Sequence, residues 1–267
     1  MIKPIACRAN IPAICRVHGV NFASTLDLKT GTFNFNPAND INKTLRDSQN
    51  YSLLLTDAEK EALASYANQS YTQIGEHLYG VQSHDVKTMM TKIDTALAKH
   101  KKIEGTKSKI VYRATKLFDN NFATPDESAD FVSNKFKVGQ ELTIEGYMST
   151  TTNPEALFDF LPESYEDLPP STGTFGIKNR EQYLELLNGK DSGLSNIVYE
   201  IETSSGAPLS SFGHANAHKE QEHLLPRNMR FVILEVVPNQ LLNNPNKNSH
   251  EAISKKHATL VRLKAAN

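Results

Sequence analysis

Two carboxylates stand one residue apart in the stretch "HKEQEHLLP", residues 218–226. In an extended segment alternate side chains share a face, so Glu220 and Glu222 would lie side by side with Gln221 opposite. Like charges that close repel each other, and the arrangement becomes favourable only with a cation or a developing positive charge between them. Two other segments carry residues suited to related work. Arg113 sits in the apolar run "IVYRA", where a guanidinium is costly unless it meets an anion, and its forked donors fit a phosphate or pyrophosphate. Ser149, Thr150 and Thr151 follow Gly146 in "GYMSTTT" and offer hydroxyls that can orient a neighbouring carboxylate. Taken singly, these are a salt-bridged arginine, a threonine-rich strand and a solvated acidic edge. Their order along one chain points to a joint site.

Other chemistries find no support. No GxGxxG follows a strand, no GxxxxGK[ST] exists, and no GxSxG is present, so dinucleotide-fold, P-loop and α/β-hydrolase readings fail. His214, His218 and His223 are close together but fall in a loop without HExxH or CxxC spacing, and no metal is expected. Met89 and Met90 read as core filler.

Elements must hold the three segments together. Thr56 and Glu59 form a capping-box pattern, and Ala62, Leu63, Tyr66, Ala67, Ile74 and Leu78 recur behind it at helical spacing up to a stop at Gly80. A second helix follows with Val86, Met89, Met90, Ile93 and Leu97 on one face. From Lys109 the texture turns strand-like: "KIVYRAT", "ELTIEGYMSTTT" with a bulge or close approach expected at Gly146, "SNIVYEIET" and "NMRFVILEVVP". A helix start is expected at Thr124–Glu127 and a short helix at Arg180–Asn188. Helices first and strands later indicate α+β. The expected organisation is an irregular extension over 1–50, a catalytic domain over 51–240, and a tail over 241–267 read as a helix, a delivery signal or a partner-binding element.

Composition narrows the partners. The 267 residues carry 29 Lys plus Arg against 30 Asp plus Glu, a net charge of −1, which offers no global basic face for nucleic acid. Two cysteines, Cys7 and Cys15, are too few for a disulfide scaffold. The N-terminal stretch is interrupted by Lys3, Arg8 and Arg16, and no apolar run reaches signal-peptide or membrane-spanning length. The expectation is a soluble protein, monomeric, without membrane or nucleic-acid partners; if it leaves the cell that makes it, a route other than a cleaved signal peptide carries it.

An arginine on a first strand, a Ser-Thr-Ser-like run on a later one and Glu-x-Glu toward the C-terminus resemble the arginine-specific mono-ADP-ribosyltransferases, the R-S-E branch that includes bacterial toxins and effectors. "LTDAEKEALASYANQSYTQIGEHLYG" is similar to the helical region of that family, and "EQEHLLP…RFVILEV" to its ending, so the likeness runs from about Leu53 to Pro238. Three departures stand out: Ser-Thr-Thr replaces Ser-Thr-Ser, Ala114 stands where glycine is frequent, and the stretch after Ser149 is long.

The resemblance implies an ADP-ribosyltransferase-like fold, N-terminal helices followed by a mainly antiparallel split sheet. It also implies NAD as co-substrate, without a metal. By the same likeness Glu222 stabilises the cationic ribose, Ser149 orients Glu222, Arg113 clamps the NAD phosphates, Ala114 and Thr150 line the cofactor site, and Glu220 serves the acceptor arginine. Phe212, His214 and His218, in the loop "SSFGHANAH", would read the target protein, and Phe158, Phe160 or Phe175 would stack on nicotinamide. The implied partner is a host protein with an accessible arginine, reached through a specialised secretion system and modified in the host cytoplasm. An NAD glycohydrolase on the same fold and a silent protein-binding module are the competing readings.

Overall fold

The computed structural model describes residues 25–27, 32–34, 41–78, 80, 85–104, 107–118, 130, 132–157, 194–213, 220–243 and 255–266. In chain order the elements are β1 (Thr25–Asp27), β2 (Thr32–Asn34), α1 (Ile41–Ser52), α2 (Asp57–Ser65), a π-helical turn (Tyr66–Ser70), α3 (Tyr71–Leu78) and α4 (Lys87–Glu104). The strands β3 (Lys109–Phe118), β4 (Glu141–Ile144), β5 (Met148–Thr151), β6 (Leu194–Thr203), β7 (Ala207–Pro208), β8 (Glu222–Leu225), β9 (Met229–Asn243) and β10 (Lys255–Ala265) follow. The helix start expected at Thr124–Glu127 and the short helix expected at Arg180–Asn188 lie outside the described residues.

The expected capping box is present. The Thr56 hydroxyl accepts from the Glu59 N–H, and the Glu59 carboxylate accepts from the Thr56 N–H at 2.7 Å. Glu59 is buried and also pairs with Lys99 at 2.6 Å, so the cap ties α2 to α4. The single helix expected up to Gly80 is instead interrupted by the π turn at Tyr66–Ser70. Such turns insert one residue and re-aim the side chains beside them.

Among the described residues ten strands form one mixed sheet in the order β1-β2-β9-β10-β6-β3-β5-β8-β7, with β4 also paired to β9, at its Met229–Val232 end. All pairings are antiparallel except β10 with β6 and β2 with β9. β3 meets β5 at one paired rung, Tyr112 against Thr151, whereas its other edge pairs with β6 along its full length. The sheet therefore opens between β3 and β5. Apolar residues on one side, including Tyr51, Leu63, Tyr66, Ile93, Tyr147 and Leu224, form a core with the helices. Val111, Met148, Tyr199, Leu225, Phe231 and Val261 form a second core.

Two elements cross the expected boundaries. The residue-51 boundary falls inside α1, which packs on β7, and the residue-240 boundary falls inside β9. Within the expected tail, Lys255–Ala265 is β10, an interior strand between β9 and β6. Ala258 and Leu260 face one core and Val261 and Leu263 another, so both faces are apolar and the alternation of a half-buried strand is missing. Arg262, which resembles a surface charge, is held by Glu200 at 2.7 Å and Glu235 at 2.9 Å on the flanking strands. Gly146 marks where the chain leaves β9 to join β3 and β8. A Cβ there would meet only Leu78 at 3.8 Å, so the expected close approach is not what sets this residue.

Candidate active site

The three motif segments are neighbours. Arg113 lies on β3, Ser149 on β5 and Glu222 at the first position of β8, with β5 central between the other two. The Arg113 guanidinium donates from Nη1 to the Ser149 carbonyl at 2.6 Å, across the opening beyond the single β3–β5 rung. In the β5–β8 ladder Thr151 stands opposite Glu222 and Ser149 opposite Leu224, so Ser149 and Glu222 share a face of the sheet.

Tyr66 belongs to this group and was read from sequence only as a helix-core position. Its hydroxyl lies 3.4 Å from the Ser149 hydroxyl. Burial pushes the Tyr66 phenol up to about 12; the Ser149 contact opposes that, the Glu222 carboxylate adds to it and the Arg113 guanidinium lowers it. Tyr66, Ser149, Glu222 and Arg113 thus share one electrostatic environment. The detectable signal was the tyrosine at the start of "YANQSY"; the π turn that aims it leaves no mark in hydrophobic spacing.

The threonines do something other than orient a carboxylate. Thr150 donates to the His223 carbonyl at 2.5 Å, and Thr151 donates to the Glu220 carbonyl at 2.5 Å. The Thr152 N–H donates to the Gln221 carbonyl at 3.2 Å. Three successive residues therefore hold the backbone of the Glu-Gln-Glu-His segment. Thr150 is buried, its hydroxyl tied to the His223 carbonyl on the neighbouring strand.

The alternation rule fails at the carboxylates. Gln221 has φ 45°, a left-handed conformation, and β8 begins only at Glu222. Glu220 precedes the strand, and the two glutamates are not simple same-face neighbours. Gln221 is the buried member, with its side-chain oxygen accepting from Thr44 at 3.3 Å and Thr152 at 3.2 Å. Both glutamates are half-buried.

Of the remaining expected residues, Ala114 pairs with Val198 on β6 and packs beside Tyr112 and Leu157. Phe212 is buried, its ring edge-on to Tyr51 at 6.0 Å in the helix-side core. His214, His218, Phe158, Phe160 and Phe175 lie outside the described residues. His223 is buried and donates from Nε2 to the Ser205 carbonyl at 3.2 Å. Among the described residues no group of His, Cys, Asp or Glu is placed to hold a metal, and no helix is long and apolar enough to cross a membrane.

Residues 38–261 match the family model described as ADP-ribosyltransferase exoenzyme. The chain belongs to that family. No curated protein matches it significantly by sequence. Among solved structures, the Vis toxin, an ADP-ribosyltransferase from Vibrio splendidus, is similar at 16% identity and TM-score 0.51, covering 85% of this chain and 81% of that one. Plx2a, an ADP-ribosyltransferase toxin from Paenibacillus larvae, is similar at 18% identity and TM-score 0.51, covering 85% and 97%. The enzymatic component C2-I of the Clostridium botulinum C2-toxin is similar at 16% identity and TM-score 0.53, covering 87% of this chain and 48% of that one. At these identities the likeness is one of fold. The chain has the ADP-ribosyltransferase fold, with N-terminal helices on a mostly antiparallel mixed sheet, and the R-S-E resemblance agrees with the toxin-like family.

Proposed function

We propose that this exoenzyme transfers ADP-ribose from NAD to an arginine side chain of a protein and releases nicotinamide. The observation that carries the reading is the meeting of Arg113, Ser149, Tyr66 and Glu222 at the β3–β5–β8 junction, with Glu220 two residues from Glu222. NAD enters as substrate. Arg113 is suited to its diphosphate, since a guanidinium offers paired donors to phosphate oxygens. Cleavage of the nicotinamide–ribose bond leaves the electron pair on nicotinamide and positive charge on the sugar carbon. A carboxylate beside that carbon stabilises the transition state more than the ground state, which is the role of Glu222. Ser149, on the same sheet face, orients it.

The acceptor guanidinium is protonated at neutral pH and is a poor nucleophile. Glu220 pairs with it, aims one nitrogen at the sugar carbon and takes the proton released as the C–N bond forms. The products are ADP-ribosylated arginine, nicotinamide and one proton. Kinship with toxins supports a host-cell protein as the acceptor, with the enzyme acting as a monomer. Nicotinamide release from NAD with agmatine as an arginine mimic, and mass spectrometry of the acceptor, tests the reading. A mono-ADP-ribosyl agmatine adduct is expected. Nicotinamide release without adduct would replace the transferase with a glycohydrolase, and no turnover at all would leave a docking module.

A further inference from the structure

Two hydroxyls on α1 reach both ends of the segment that leads into Glu220. Thr44 donates to the Gln221 side-chain oxygen at 3.3 Å. Ser48, one helical turn later and fully buried, donates to the Pro208 carbonyl at 3.2 Å. Its oxygen meets the Ser211 hydroxyl at 2.7 Å and accepts from the Ser211 N–H at 2.9 Å. Residues four apart share a helix face, so one stripe of α1 clasps the chain where it leaves β7 and where it re-enters at Gln221.

The contact at Gln221 falls on a conformation that needs support. A left-handed backbone at a non-glycine residue is unfavourable and persists only where its surroundings over-determine it. Here the surroundings are Thr44 and Thr152 on the buried amide and the Thr152 N–H on the carbonyl. That backbone reversal sets the direction of Glu220 relative to Glu222. Glu222 does not depend on it, being held by the ladder to Thr151 on one side and by the Leu209 N–H, 2.9 Å from its carbonyl, on the other.

We infer that Thr44 of α1, acting through Gln221, is a positioning residue for Glu220, and that α1 is therefore part of the acceptor side of the enzyme. The inference rests on the arginine-transfer reading above. It predicts an unequal effect: loosening Gln221 misplaces the acceptor carboxylate and leaves the donor carboxylate in its strand.

The test uses the full chain with Thr44→Val, which removes the hydroxyl at nearly constant volume, and Thr44→Ser, which keeps it. Gln221→Asn tolerates the left-handed backbone and shortens the reach to Thr44, so it serves as a second variant. Transfer to agmatine, with its kcat and KM, is measured beside acceptor-free nicotinamide release. Thr44→Val and Gln221→Asn should lower kcat/KM for agmatine about tenfold, as expected for a small misplacement, while hydrolysis changes less than about twofold. Thr44→Ser should restore transfer. Equal loss of both activities, no change in either, or a serine variant as poor as valine overturns the inference while the transferase reading stands. A wild type that releases nicotinamide but never modifies agmatine overturns both.

Discussion

The guanidinium of Arg113 donates to the backbone carbonyl of Ser149 at 2.6 Å, joining β3 to β5 where the sheet opens. One side chain thus braces the serine strand from β3. Arg113→Lys keeps the charge and loses the fork. The expected result is a rise of about tenfold in KM for NAD, read from nicotinamide release. An unchanged KM would contradict the role of Arg113 at the phosphates.

The C-terminal strand carries a prediction about truncation. β10 lies between β9 and β6, and its removal would expose two long strand edges and the apolar faces that Leu260, Val261 and Leu263 now cover. A chain ending at residue 254 should fail to fold, seen as loss of the cooperative thermal transition and appearance in the insoluble fraction. A soluble, cooperatively melting truncation would contradict the assignment of the tail to the sheet.

Gly206 has φ 99°, and a Cβ added there would lie 2.6 Å from His223 Nε2, 2.7 Å from the Leu224 carbonyl oxygen and 2.8 Å from Leu225 Cδ2. The Leu224 carbonyl oxygen is backbone and cannot move without disturbing β8, and the His223 ring is buried. Gly206→Ala should cost at least about 2 kcal/mol, which for a chain of this size lowers the melting temperature by roughly 4–8 °C. A shift within about 1 °C would show that the turn relaxes freely.

His223 links stability to pH. Burial holds its pKa well below the usual histidine value; the charge on Lys109 and the nearby His100 push the same way, and the Ser205 carbonyl opposes them. The folded state favours neutral imidazole, while the unfolded chain takes up a proton near about pH 6.5. The contribution is therefore complete above that pH and is lost as pH falls below it, by up to about 1.4 kcal/mol per unit. Urea midpoints measured at several pH values between about 7.5 and 5 should fall more steeply for wild type than for His223→Gln. Parallel slopes would assign the acid sensitivity to other groups.

Much of the scaffold was readable because it rests on local rules. The Thr56–Glu59 cap, the strand character of "IVYRA" and the neighbourhood of Ser149 and Glu222 follow from capping, β-branching and motif order. What escaped depends on tertiary context. A strand buried on both faces, like β10, has no alternation to read. The π turn that brings Tyr66 to Ser149 and the left-handed Gln221 are set by packing and by hydroxyls distant in sequence, Thr44 among them. The threonines were recognised as orienting groups, but their acceptors are backbone carbonyls, which composition cannot reveal.

The division of labour between the two glutamates is the centre of the account, and one comparison tests it. Nicotinamide release and agmatine modification are measured for wild type, Glu220→Ala and Glu222→Ala under the same conditions. Loss of both activities in Glu222→Ala, with Glu220→Ala losing transfer but retaining hydrolysis, is the predicted result. Equal loss of both activities in the two variants would contradict it.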